Sequence, residues 1–146
     1  MKTLFKRIGA GIAMAAIINS PIYFAQAAQD RFYEALGGEA GVAAIANDLV
    51  NLALSDPRIK DTFEDVDLER LKSKLAEQFC ELSGGPCKYS GKDMTLIHDG
   101  LGISNAQFNA LAEDLQIALE RNAIPSHVQN KLIARLAPMQ RNIVTK

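Results

Sequence analysis

The sequence predicts an all-α protein with one domain. From residue 29 onward, apolar residues recur at three- and four-residue steps, the spacing of one helix face. No segment shows the two-residue alternation of a strand. A chain of 146 residues, 48% of them apolar, can bury one core, and 10 Gly and 5 Pro are too few for a disordered or collagen-like chain. The balance of 16 basic and 17 acidic residues argues against a nucleic-acid-binding module that neutralises phosphates.

The first 27 residues have the composition of a secretory signal peptide. Three basic residues lie within 2–7, an apolar run covers 8–18, and the pattern Ala-Gln-Ala ends at residue 27. The alternative is an uncleaved membrane anchor. It is less favoured because Asn19-Ser20-Pro21 interrupts the apolar run before the ~20 residues that a spanning helix needs. We expect removal of residues 1–27, no stable membrane insertion afterwards, and an exported, periplasmic domain over residues 28–146.

The first helices of this domain are separated by turn residues. Residues 29–36 predict a short helix that ends at Gly37-Gly38. Residues 39–55 predict a long helix that ends before Asp56-Pro57, because the residue before a proline avoids the helical region. A short element over 57–63 follows.

The central helices are predicted by amphipathic spacing and a cap. Residues 67–82 give the clearest amphipathic helix of the chain, with Asp67 in position to cap its N-terminus. After a loop that contains Gly84-Gly85-Pro86, residues 92–99 predict a brief helix.

The C-terminal helices also begin with local signals. Ser104 and Gln107 have the spacing of a capping box that opens a long helix. Pro125 begins the last helix, and Pro138 should kink it because a proline inside a helix removes one hydrogen bond.

The two cysteines, Cys80 and Cys87, lie at the end of the amphipathic helix and in the loop after it. If the protein is exported, an oxidising compartment favours a disulfide over two free thiols. A metal site is disfavoured because the sequence has no C-x-x-C motif and no neighbouring histidine.

Few residues could carry chemistry. His127 lies among polar residues and is predicted to be exposed and idle. His98 shares an apolar face with Met94 and Leu101. Its residue pattern alone favours a core histidine bonded to a backbone carbonyl, with a metal ligand as the alternative. Nucleophile elbows and phosphate-binding glycine motifs are missing from the sequence.

Several motifs, in their order and spacing, resemble the truncated hemoglobins, specifically group I, also called N. They are Tyr33-Glu34-Ala35-Leu36-Gly37-Gly38, Phe63, Leu71-Lys72-Ser73-Lys74, the loop from Gly84 to Met94, His98-Asp99-Gly100-Leu101-Gly102-Ile103 and Leu136-Ala137-Pro138. Each motif alone is weak. Together they cover nearly the whole domain, and they favour His98 as a metal ligand.

This resemblance implies a two-over-two helical sandwich around one haem b, with His98 as the proximal ligand of the iron. Phe63 would stack on the haem, and Lys74 would reach a propionate. An alternative for Lys74 is internal coordination of the iron, since apolar surroundings promote loss of its proton. The other expected haem contacts are Leu71, Leu75, Phe79, Tyr89, Met94, Ile103, Phe108, Leu111 and Ile133.

The distal side departs from the family pattern. Many members have a Tyr and a Gln that hydrogen-bond the bound gas, whereas the corresponding positions here are Val50 and Leu75, with Leu71 beside them. Gln78, one turn further on, is the nearest polar side chain. A hydrogen bond to a charged or polarised group is worth about 1.5–3 kcal/mol. We therefore expect fast O2 loss and ready autoxidation.

The resemblance implies reversible binding of O2, NO or CO by an exported globin, served by an electron donor that the sequence does not identify. The enzymatic alternative is haem-dependent NO dioxygenation or peroxide reduction, which would be slow without a distal acid or base. A third alternative is a haem-free helical interaction module in which His98 is merely packed. No residue is assigned a catalytic role, and no nucleic-acid partner is expected.

Overall fold

The computed structural model describes residues 31–146, and every regular element within that range is helical. The all-α prediction is confirmed for this range. The signal peptide predicted for residues 1–27 and the domain start at residue 28 lie outside the described residues. The helices are α1 (31–35), α2 (Gly38–Ser55), α3 (Leu68–Ser83), α4 (Met94–His98), α5 (Asn105–Arg121), α6 (Ser126–Leu136) and α7 (Gln140–Ile143), with 3₁₀ helices at Lys60–Phe63 and Ala137–Met139.

Four long helices form two layers. Helices α2 and α3 pack against each other in one layer, and α5 packs against α6 in the other. The layers meet where α2 lies on α5 and α3 lies on α6. The main core fills the space between them and contains the fully buried side chains of Leu36, Ile45, Phe79, Leu119 and Leu132. Because α1 brings Leu36 into this core, the first short helix is part of the packed domain.

The turn between α1 and α2 requires glycine. Gly37 and Gly38 both have positive φ angles, 90° and 61°, a region that residues with a side chain rarely adopt. A Cβ atom on Gly37 would also approach the Cα of Gly41 to 2.9 Å. Only Leu36 and Gly37 therefore separate α1 from α2. Helix α2 begins at Gly38, one residue earlier than predicted.

The predicted caps are confirmed. The Asp67 carboxylate accepts the Arg70 N–H at 3.0 Å and begins α3. Ser104 and Gln107 form the complete capping box at the start of α5.

Pro138 interrupts the last predicted helix more completely than the expected kink. Helix α6 ends at Leu136, and the 3₁₀ segment that contains Pro138 turns the chain into α7. This turn places α7 against α4. The last residues continue along the same side, where the Thr145 N–H donates to the Ile103 carbonyl at 3.0 Å.

One acidic side chain is buried, although the sequence pattern placed nearly all of them on polar faces. Asp114, on α5, is 4% exposed, and its Oδ2 has no hydrogen-bond partner among the described residues. Burial and the charges of Asp56 and Glu113 raise the pKa of Asp114, against the opposing effect of Arg58. Asp114 thus carries a desolvation cost in the folded protein.

Among residues 31–146, no helix combines the length and hydropathy needed to cross a membrane.

Candidate functional site

A cavity of about 250 Å³ lies between α2, α3, α4 and α5, and its wall is mainly apolar. The structure brings most of the predicted site residues together on this wall. They are Val50, Phe63, Leu71, Lys74, Leu75, Tyr89, Met94, His98, Ile103, Phe108 and Leu111. A small second core of Ala53, Ile59 and Ala110 supports the cavity and packs against Phe63 and Leu111.

Two predicted contacts, Phe79 and Ile133, do not line the cavity in this structure. On α3 the wall residues follow the helical step from Leu71 to Leu75 and Gln78. Phe79 comes one residue later, about 100° further round the helix, and is fully buried in the main core. Ile133, on α6, packs against the same core, because α6 contacts the core side of α3 and α5.

His98 is the last residue of α4, and its ring orientation is set by a single hydrogen bond. The ring Nδ1 lies 2.8 Å from the Met94 carbonyl oxygen one turn earlier. A carbonyl can only accept, so Nδ1 carries a proton, and in the neutral ring Nε2 is then the nitrogen with the free lone pair. The side chain also lines the cavity. The backbone-bonded histidine and the metal ligand, which the residue pattern left as alternatives, are therefore compatible in one geometry.

The polar groups of the cavity wall have partners within the protein. The Tyr89 hydroxyl donates to the Lys92 carbonyl at 3.0 Å, and the Thr62 hydroxyl donates to the Ile59 carbonyl at 2.7 Å. The Gln107 side-chain oxygen accepts the Ser104 N–H at 3.0 Å as part of the capping box.

Gln78 has the weakest partners on the wall. This side chain is 8% exposed, and its Nε2 faces two thioether sulfurs, Met94 Sδ at 3.7 Å and Met139 Sδ at 3.6 Å. Sulfur is a weak acceptor, so these contacts hold the amide less firmly than oxygen acceptors would.

Lys74 belongs to a charged cluster at the edge of the cavity. Its Nζ lies 2.6 Å from Glu77 Oε1 and also contacts the Ser90 hydroxyl. Glu77 Oε2 accepts the Ser90 N–H at 2.9 Å and the Ser90 hydroxyl at 2.8 Å. These bonds, led by the one from Lys74, lower the pKa of Glu77 to about 2. The Lys74 ammonium is therefore held by a carboxylate in this structure.

The loop that carries Tyr89 and Ser90 is tied to α3 just before these residues by the Cys80–Cys87 disulfide, with a Cα–Cα distance of 5.8 Å. Gly84 caps the C-terminus of α3, and its φ of 83° allows the chain to reverse toward Cys80. Burial and the charges of Glu77 and Asp93 raise the pKa of Tyr89, so its phenol remains a donor at neutral pH.

A family model described as bacterial-like globin matches residues 31–145. The chain belongs to the bacterial-like globin family. Its curated relatives include the group 1 truncated hemoglobin of Tetrahymena pyriformis, 32% identical over 99 residues that cover 68% of this chain and 82% of that one. Another is the group 1 truncated hemoglobin GlbN of Mycolicibacterium paratuberculosis, 29% identical over 122 residues that cover 84% and 90% of the two chains.

Solved structures agree with this assignment. The truncated hemoglobin from Tetrahymena pyriformis in its Fe(III) form superposes with a TM-score of 0.75 at 29% identity, over 79% of this chain and 98% of that one. The two-over-two globin fold and the resemblance to group 1 truncated hemoglobins are confirmed. As a truncated globin, the chain binds one haem b and small gas ligands.

The residues of the cavity fit a haem. Among the described residues, no group of three or more His, Cys, Asp and Glu side chains could hold a metal ion. A metal ion bound here through His98 therefore needs ligands that the protein does not supply. A porphyrin provides such ligands. The apolar wall suits the macrocycle, and Lys74 at its edge suits a propionate.

Sequence reasoning missed several wall residues of this truncated globin. They are Leu49, Ala53, Ile59, Thr62, Val66, Gln78, Ile97, Leu101, Gln107 and Ile143. Ala53 could have been found because it lies three residues after Val50 on the same helix face, and Leu49 because it lies four residues before Ala53. No local signal points to Ile143, which reaches the cavity only because α7 turns back onto α4.

Proposed function

We propose that this globin binds O2 and other diatomic gases reversibly and is exported. The observation that supports it is the composition of the wall, where the polar side chains of the described cavity already have protein partners and Val50, Leu71 and Leu75 are apolar. Haem iron supplies reversible coordination of the gas when haem is bound. The chain positions His98, excludes water and offers the gas no strong hydrogen bond.

The role of His98 is tested by visible spectra of the ferric, ferrous and CO-bound forms. His98→Ala should lose the spectrum of a histidine-bound haem and retain less haem, because no other histidine lies on the cavity wall. His127→Ala is the matched control, since His127 is exposed at the start of α6. An unaltered spectrum in His98→Ala contradicts the assignment.

Of the two enzymatic alternatives, peroxide reduction needs a group that can donate a proton to the reacting ligand, whereas NO dioxygenation needs retained O2 and an electron that returns the iron to its ferrous form. Tyr89, the wall phenol, donates to the Lys92 carbonyl, and Lys74 is paired with Glu77. We therefore expect slow peroxide reduction, and slow NO dioxygenation because the apolar side chains of Val50, Leu71 and Leu75 do not retain O2. The test is NO consumption by the oxygenated form with a chemical reductant present. Rapid, sustained consumption would favour the enzyme.

Two observations support export to the periplasm. Residues 1–27 have the charge, apolar run and A-x-A end of a signal peptide, and disulfides such as Cys80–Cys87 persist in oxidising compartments. Expression of the full chain in a Gram-negative host should give a periplasmic protein whose mass is that of residues 28–146. A cytoplasmic product of full mass would contradict this part of the proposal.

A further inference from the structure

The loop over residues 84–93, called here the cavity loop, joins α3 to α4 and is fixed at its beginning by the disulfide. Cys80 is fully buried in the main core, so the bond ties the loop to a rigid part of the fold. Gly85 permits the close approach, because a Cβ there would lie 2.6 Å from Cys80 Sγ and 2.7 Å from the Tyr33 ring. The Gly85 N–H donates to the Cys80 carbonyl at 2.8 Å.

The cavity loop supplies two parts of the haem site. Tyr89 forms part of the cavity wall. The next residue, Ser90, donates both its N–H and its hydroxyl to Glu77, which also accepts the Lys74 ammonium. The position of the charge at the cavity edge therefore depends on where the loop lies.

Apart from the disulfide and Gly85, the cavity loop is held to α3 mainly by polar contacts near solvent. Ser90 and Lys88 are exposed, the Tyr89 N–H reaches Glu81 Oε2 at 3.2 Å, and the Lys88–Glu81 ion pair spans 3.5 Å. Exposed ion pairs and hydrogen bonds compete with water and contribute little. The covalent bond is thus the strongest restraint on the loop, because it limits the conformations that the loop can adopt.

We propose that the Cys80–Cys87 disulfide is a redox-sensitive latch on the haem cavity. In the oxidised form the cavity loop holds Tyr89 on the wall and Ser90 on Glu77. In the reduced form the loop is released, the wall loosens and haem leaves faster. The reductant is a dithiol, either a small molecule or a thioredoxin-like protein.

The exchange is balanced and has one accessible point of attack. Cys87 is partly exposed whereas Cys80 is fully buried, so the dithiol's thiolate attacks Cys87 Sγ. The S–S bond breaks, and Cys80 leaves as a thiolate that takes up a proton. The second thiol of the reductant then displaces Cys87 Sγ and closes its own disulfide. In sum, one protein disulfide becomes two thiols and one dithiol becomes a disulfide.

The test measures haem transfer from the ferric holoprotein to an excess of a haem-scavenging apoglobin, followed by absorbance. The Cys80→Ser/Cys87→Ser protein should lose haem about tenfold faster than the oxidised wild type, which corresponds to about 1.4 kcal/mol, a part of what a disulfide usually contributes. Wild-type protein reduced with dithiothreitol and alkylated should behave alike. Equal rates in all three proteins would overturn the proposal.

Two controls separate the latch from general loss of stability. Reductant should leave the rate of the Cys80→Ser/Cys87→Ser protein unchanged, since it has no disulfide. Glu77→Gln should speed haem loss in the oxidised protein and have a smaller effect in the cysteine-free one, where the loop is already free. An equal effect of Glu77→Gln in both backgrounds would overturn the proposed route through Glu77. If the double cysteine variant fails to fold, the alkylated wild type decides the outcome.

Discussion

Replacing Leu75 by Gln should convert the distal side from one that releases O2 quickly to one that retains it. Leu75 lies on the cavity wall, on the α3 face that also carries Leu71 and Gln78. Gln is close to Leu in length, so the change adds a donor without opening a large void. The Thr62 and Tyr89 hydroxyls already present on the wall donate to backbone carbonyls, and the Gln78 amide faces two thioether sulfurs one turn further along α3.

The expected magnitude follows from the energy of one such hydrogen bond. A bond to a charged or polarised group contributes about 1.5–3 kcal/mol, which corresponds to an O2 dissociation rate roughly 10 to 150 times lower. Autoxidation should slow as well, and CO dissociation should change much less because bound CO is less polarised.

The assay is stopped-flow replacement of O2 by CO in the ferrous protein. Leu75→Met is the matched control, because it keeps the size and the apolar character of the side chain. A Leu75→Gln rate within about twofold of wild type would refute the reasoning, since less than about 0.4 kcal/mol would then have been gained. Slowing by Leu75→Met to the same extent would show that packing, rather than the donor, is responsible.

The remaining predictions concern stability. The lowered pKa of Glu77 means that its carboxylate stabilises the fold above pH 4.5, a contribution lost as pH falls to about 2. Glu77→Gln should therefore unfold at a higher pH than the wild type in an acid titration followed by circular dichroism. An unchanged acid-unfolding curve would contradict this. Since burial raises the pKa of Asp114, its ionised form is unfavourable. Asp114→Asn should increase the free energy of unfolding at pH 7 by about 1 kcal/mol, and the melting temperature with it. The increase should be smaller in acid, where Asp114 is protonated in the wild type. A lower melting temperature at pH 7 would contradict it. Ser104→Ala should remove the capping box and cost about 1 kcal/mol in urea denaturation, whereas Ser126→Ala, with no side-chain cap at its helix, serves as the control.

The candidate site was largely predictable where it rests on motifs in chain order. His98, Phe63 and Lys74 were chosen because their order and spacing resemble a known family, and all three lie on the cavity wall. Phe79 lies off the cavity wall for a geometric reason. A periodic apolar face on α3 identifies the buried side of the helix but does not show where the core ends and the cavity begins.

The sequence alone predicted the longer helices to within a residue or two of their ends. Caps such as Asp67 and Ser104, the glycines at 37 and 38, and Pro138 act on backbone within a few residues of themselves, so their effects can be derived locally. The tertiary structure alone decided that Lys74 pairs with Glu77 and Ser90, and that Ile143 reaches the cavity. These outcomes depend on contacts between segments distant in the chain, and on how packing divides each helix surface between core, cavity and water.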